Sequence, residues 1–143
     1  MKAKVLIPVD GARNSRTAEE YTVKLNEFMP LSVLLFNVVD TKEVDWHGIN
    51  PDLKDMIIES KRRRGGKALS EASETFKKAG IESERRSEVG HPAKMICQLA
   101  HNEKVDMVII GESGRRFLGS VLNDVIHNCD VPVLLVKHRA DND

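Results

Sequence analysis

Aromatic side chains are scarce, at 4% of the 143 residues, which excludes a broad stacking platform for single-stranded bases. A surplus of either charge is also lacking, since 22 Lys+Arg balance 22 Asp+Glu. That balance argues against a general electrostatic grip on nucleic acid, although it leaves room for a local basic patch. Long apolar runs are absent too. The comparable stretches, 105–110 and 131–136, are strand-sized and fall far below the ~20 residues of a membrane helix. The opening Met1-Lys2-Ala3-Lys4-Val5-Leu6-Ile7-Pro8 is too short in its apolar part for a signal peptide, so the cytoplasm is the expected compartment. Cysteine is limited to Cys97 and Cys129, with no C-x-x-C, and both read as small buried hydrophobes rather than metal or redox groups. No repeat, low-complexity tract or linker interrupts the chain, so one domain over residues 1–143 is expected.

What is present is an alternation of two periodicities. Lys4-Val5-Leu6-Ile7-Pro8-Val9 is a nearly continuous apolar run ending at the turn signal Asp10-Gly11, as expected of a strand buried on both faces. Asn14 or Ser15 would cap a helix with Ala18, Tyr21, Leu25, Phe28 and Met29 on one face, stopped by Pro30. A second buried strand, Leu31-Ser32-Val33-Leu34-Leu35-Phe36-Asn37-Val38-Val39, ends at Asp40. A long helix follows from Asp52 to about Lys78, with Leu53, Ile57, Leu69, Ala72 and Phe76 inward and a kink or break expected at Gly65-Gly66. Gly80 would end it. The segment 81–89 is a charged strand suited to a sheet edge. Pro92 would open a helix with Met95, Ile96, Leu99 and Ala100 inward. A fourth strand at 106–110, a short helix with Val121, Leu122, Val125 and Ile126, and a last strand at 131–136 complete the order β-α-β-α-β-α-β-α-β. This order predicts an α/β fold, an open parallel sheet with helices on both faces. Ligands of such sheets bind beyond the carboxyl ends of the strands, where strand order reverses.

The strongest chemical signal lies at those ends. Gly111-Glu112-Ser113-Gly114-Arg115-Arg116-Phe117-Leu118-Gly119-Ser120 runs from a buried strand into a helix. Glycines there admit a close ligand, helix-start N–H groups suit an anion, and the two arginines add positive charge. An ordinary solvated βα loop is the plainer reading. The named phosphate motifs, G-x-x-x-x-G-K-[ST] and G-x-G-x-x-G, are missing. Gly111-Glu112-Ser113-Gly114-Arg115 nearly matches a nucleophile elbow, but Arg115 stands where a glycine is needed. Asp10 is placed to bind a base or ribose, or simply to form its turn. It lacks the neighbouring acids of a phospho-acceptor domain. Lys61-Arg62-Arg63-Arg64 reads first as a solvated helix face and second as a surface for an acidic partner, with Trp46-His47 as another candidate partner surface. The five histidines show no metal-ligand spacing, and His91 is placed to line the same crevice as Asp10. No general base stands beside a nucleophile, so an efficient hydrolase is not expected, although slow hydrolysis remains compatible.

Together these pieces resemble the universal stress protein family over almost the whole chain. The resemblance is carried by Lys4-Val5-Leu6-Ile7-Pro8-Val9-Asp10-Gly11, by Leu34-Leu35-Phe36-Asn37-Val38-Val39-Asp40, by Gly90-His91-Pro92-Ala93 and by Val105-Asp106-Met107-Val108-Ile109-Ile110-Gly111. Leu118-Gly119-Ser120-Val121 and Val131-Pro132-Val133-Leu134-Leu135-Val136 continue it. It implies a five-stranded parallel sheet of order 3-2-1-4-5 and a homodimer through the last strand, from Val131 to Val136. One branch of the family binds ATP, with Mg as a companion ion, or AMP. By that resemblance Pro8, Val9, Asp10 and Val38 would surround adenine and ribose, Gly111, Gly114 and Arg115 the ribose and phosphates, and Gly119, Ser120 and Val121 the phosphates. The chain departs from that branch in one place. Only Arg115-Arg116-Phe117-Leu118 separate Gly114 from Gly119, so the spacer is five residues short of the branch's nine. The expectation is an adenine-nucleotide-binding regulatory module. The alternative is a dimeric interaction module of the same family that binds no nucleotide.

Overall fold

The computed structural model describes residues 1–45, 48–112 and 120–137. Five strands, β1 (Ala3–Pro8), β2 (Leu31–Asp40), β3 (Ser83–Gly90), β4 (Met107–Gly111) and β5 (Val133–Val136), form one sheet of order β3-β2-β1-β4-β5. All its ladders are parallel. Among the described residues the helices are α1 (Arg13–Leu25), α2 (Pro51–Lys78), α3 (Pro92–Asn102) and α4 (Ser120–Asn128), with a 3-10 turn at Lys42–Val44. The predicted strand order and helix alternation are those of the molecule.

Period-two alternation along the strands divides the core between the two faces of the sheet. Val5, Ile7, Val9, Val33, Leu35 and Ile109 meet Ala18 of α1 and Ala68, Leu69, Ala72 and Phe76 of α2. Leu6, Leu34, Phe36, Val108 and Ile110 meet Ile96 and Ala100 of α3 and Leu122 and Val125 of α4. Each large side chain buried this way stabilises the fold by about 1.5–3 kcal/mol relative to exposure. Pro8 is the last residue of β1, where its missing N–H removes no interior ladder bond. β3 is an edge strand with an exposed charged surface, as its composition predicts. At the amino end of the sheet, Lys4 donates to Glu103 at 3.1 Å, and this bond holds the Glu103 carboxyl below the usual range.

Six local expectations are corrected. The inner face of α1 is Ser15, Ala18, Glu19 and Thr22, whereas Tyr21 and Phe28 are exposed. Thr22 can be buried because its hydroxyl donates to Ala18 O at 2.7 Å. Neither Asn14 nor Ser15 caps α1. The N-cap is Ala12, and Ser15 Oγ donates to Ala12 O. Next, α2 runs unbroken through Gly65-Gly66, because tertiary packing outweighs the weak propensity of glycine. Its start is fixed by Asn50, whose side chain accepts the Asp52 N–H at 2.7 Å, with Pro51 at the first helical position. Leu53, expected inside, is exposed because this part of α2 extends beyond the sheet's packing surface. Last, Cys97 and Cys129 are not separate buried hydrophobes but a disulfide, with Cα atoms 4.8 Å apart across a sequence separation of 32. The fold brings α3 and the end of α4 side by side, a proximity that sequence spacing does not reveal. Ile126, expected to face inward on α4, is exposed.

Candidate functional site

The carboxyl tips of β1 and β4 are neighbours at the centre of the sheet, where the chain direction of strand addition reverses. At the β1 tip, Val9 N donates to Phe36 O at 2.8 Å, and Val9 O accepts from Asn37 Nδ2 at 2.7 Å. The Asn37 amide therefore replaces a ladder partner and ends the pairing of β1 with β2. Asp10 follows, exposed, with Oδ1 accepting the Ala12 N–H at 2.8 Å. This turn leaves the carboxylate at the crevice while setting the start of α1. Gly11 has φ +81°, and a Cβ there would press on the Ala68 Cβ of α2 at 3.1 Å, so both backbone and space favour glycine.

At the β4 tip, Gly111 is buried and paired with Val136, and Glu112 N donates to Val136 O at 2.7 Å. Val38 is partly buried and packs with the core on the α3/α4 side, as does Val121 in the first turn of α4. The fold thus gathers Pro8, Val9, Asp10, Val38, Gly111 and Val121 at one end of the sheet. Gly114, Arg115 and Gly119 lie outside the described residues, as does Trp46-His47. Ser120 is placed as the first residue of α4.

A cavity of about 610 Å³ opens at this end, bounded by the β2 tip, the start of α3 and one side of α4. Asp40, Lys42, His91, Lys94, Val121 and Asp124 are among its lining residues. Of the predicted ligand residues only Val121 lines it; His91 lines it too, but without Asp10, with which the sequence grouped it. The lysines supply positive charge suited to an anion and the aspartates suit hydroxyl donors, so the residues present are compatible with a phosphorylated ligand. Lys61 Nζ also reaches this end, donating to Asp40 O at 3.0 Å from α2. Within the basic run, then, Lys61 is turned towards the strand tips and Arg62, Arg63 and Arg64 are exposed. Among the described residues no group of His, Cys, Asp and Glu is arranged to hold a metal ion.

Sequence reasoning missed three participants. Asn37 and Gly65 carry a recoverable signal: a lone amide in an apolar strand and a glycine in a helix. The third, Glu19, is buried on α1 beside a cavity of about 340 Å³ that Gly11, Arg16, Glu20, Ala68, Glu71 and Thr75 also line. Burial raises its carboxyl to about 7, opposed by Arg16 and assisted by Asp10, Glu20 and Glu71. An acid on an otherwise ordinary helix gives no such hint.

A parallel sheet wrapped on both faces, with an acid and a glycine at adjacent strand tips, defines a doubly wound α/β domain, a class in which the switch point is the usual place for a ligand. Comparison then narrows the class. The model of the universal stress protein family matches residues 1–137, and the chain belongs to that family. Its relatives include the universal stress protein MJ0531 of Methanocaldococcus jannaschii, 28% identical, with 94% of this chain and 81% of that protein covered. Among solved structures, that of MJ0577 superposes with a TM-score of 0.84 at 23% identity, covering 98% of this chain and 99% of that one. A family member from Arabidopsis thaliana with AMP bound superposes with a TM-score of 0.74 at 22% identity, covering 98% and 94%. Among the described residues no helix is long and apolar enough to cross a membrane.

Proposed function

We propose that the protein is a non-enzymatic regulatory module that binds an adenine nucleotide, ATP or AMP, in a cytoplasmic stress response. The observation that carries this reading is the placement of Asp10 and Gly111 on adjacent strand tips, at the same end of the sheet as a cavity with Lys42 and Lys94 in its lining. A carboxylate there accepts hydrogen bonds from ribose hydroxyls. A residue without a Cβ admits the sugar-phosphate to the backbone, and the helix that opens at Ser120 presents N–H groups to phosphate. AMP bound in the Arabidopsis relative is consistent with this chemistry. Mg would enter only with ATP, through the phosphates. The protein acts as a homodimer, joined through the apolar edge strand β5, which would otherwise be left unpaired.

Isothermal titration with ATP, ADP and AMP tests the reading, alongside thermal unfolding at millimolar ligand. Binding to the folded state must raise the unfolding temperature. No heat and no shift with any of the three would refute it. The short spacer between Gly114 and Gly119 favours a second reading, an interaction module without nucleotide. Capture of an acidic protein partner that is lost on charge reversal at Arg62, Arg63 and Arg64, with no nucleotide heat, would support that reading instead.

A further inference from the structure

The disulfide lies where it can govern the ligand crevice. Cys129 directly follows α4, and its N–H donates to Val125 O at 3.0 Å, so it moves with that helix. Cys97 lies midway along α3. One turn further on, His101 Nδ1 meets Asp130 Oδ2 at 2.9 Å, a second and exposed tie between the same two elements. Near the other end of α4, Val121 lines the crevice. A helix of nine residues spans about 13 Å and transmits displacement of one end to the other. The apolar anchors on α4 are Leu122 and Val125, buried at 5% and 0% exposure, so loss of the covalent tie would loosen the helix rather than release it.

The bond is also reachable. Cys97 lines the 610 Å³ cavity and, with Gln98, His101, Asn102, Asn128 and Asp130, a second cavity of about 280 Å³ on its other side. Structural disulfides are usually sealed, whereas exposed ones are the labile and regulatory ones. Lys42 and Lys94 in the larger cavity would attract an incoming thiolate towards Cys97.

We propose that Cys97 and Cys129 form a reversible thiol–disulfide switch that clamps α4 to α3 and thereby sets the position of the α4 N-terminus in the crevice. The effect on ligand rests on the nucleotide reading above, but the clamp itself does not. The reductant is a dithiol. Its thiolate attacks the Cys97 sulfur, the S–S bond breaks, and Cys129 leaves as a thiolate that takes up a proton. The second thiol of the reductant then attacks the mixed disulfide and frees Cys97. Two electrons have passed to the protein, and the dithiol ends as its own disulfide.

The test compares the full chain, oxidised or reduced with dithiothreitol, with the double variant Cys97→Ser/Cys129→Ser. Thiol alkylation read by mass spectrometry counts free thiols. Hydrogen exchange reads the α4 amides without any ligand, and titration with AMP and ATP reads the crevice. The oxidised chain should show no free thiol and the reduced chain two. Reduction should speed exchange across residues 121–128 and weaken nucleotide binding about fivefold or more. The double variant should match the reduced chain and ignore the reductant. Two free thiols under oxidising conditions, or α4 exchange unchanged by reduction, would overturn the switch. Faster exchange with equal affinity in both states would overturn its coupling to the crevice. Faster exchange with no nucleotide heat in either state would confirm the clamp and defeat the nucleotide reading.

Discussion

The side-chain amide of Asn37 lies directly beneath Gly65 of α2. A Cβ on that glycine would fall 2.8 Å from Asn37 Nδ2 and closer still to Oδ1. The same amide donates to Val9 O, so helix, strand β2 and the β1 tip converge on one buried group.

Replacing Gly65 with alanine should therefore destabilise the protein by about 1–3 kcal/mol, the cost of overpacking a filled site. Its neighbour supplies the control. A Cβ at Gly66 meets nothing within 4 Å, so Gly66→Ala should stabilise by about 0.5–1 kcal/mol through helix propensity. Urea unfolding of the two variants checks both signs at once.

Glu19 predicts a pH dependence. Burial lifts its folded-state value from 4.5 to about 7. Between those values the folded chain keeps a proton that the unfolded chain has released, so this group's contribution to stability falls as pH rises through the window and stays low above it. Glu19→Gln should remove that slope. The variant should gain roughly 1–3 kcal/mol relative to the native protein on going from about pH 4.5 to pH 8. Chemical denaturation at several pH values would show it, and parallel curves for the two proteins would contradict it.

Asp10 has two roles that substitution can separate. Asp10→Asn keeps an acceptor for the Ala12 N–H but removes the charge, whereas Asp10→Ala removes both. Only the alanine variant should lose stability, by about 1 kcal/mol. The alanine variant should also lower nucleotide affinity by at least about tenfold, as expected for a hydrogen bond to a charged group. Titration calorimetry with AMP, paired with urea unfolding, distinguishes the two.

Lys61 and Arg63 share a basic run but not an environment. Lys61→Met loses the bond to Asp40 O and should cost about 0.5–1.5 kcal/mol. Arg63→Met alters an exposed side chain and should stay within about 0.5 kcal/mol of the native protein. Thermal unfolding of both variants provides the comparison.

Whereas the strand order followed only from the family resemblance, strand identity and the two-sided burial were legible in the sequence because apolar runs such as Val5-Leu6-Ile7 are local signals. The same holds for the charged edge at β3 and for Pro92 at the start of α3. What escaped is non-local. The Cys97–Cys129 bond depends on how α3 and α4 pack, and the unbroken course of α2 through Gly65 depends on an amide 28 positions earlier. The polar inner face of α1 defeats a search for apolar periodicity, because Thr22 satisfies its hydroxyl on its own helix and Glu19 adapts by holding its proton. Asp10, Gly111, Val38 and Val121 share one end of the sheet, and of these only Val121 lines the cavity, while Lys42, Lys94 and Lys61 arrive from elements whose reach no spacing rule supplies.

The unequal borders of the sheet limit what further copies of the chain can do. Glu84, Arg85, Arg86 and Glu88 make β3 a poor template for an incoming strand, so strand-to-strand joining is left to β5. In the language of polymerisation, the proposed pairing through β5 would make the molecule a monofunctional unit. A single joining event would use up that edge, so association through this sheet would close into a pair rather than extend into a fibre.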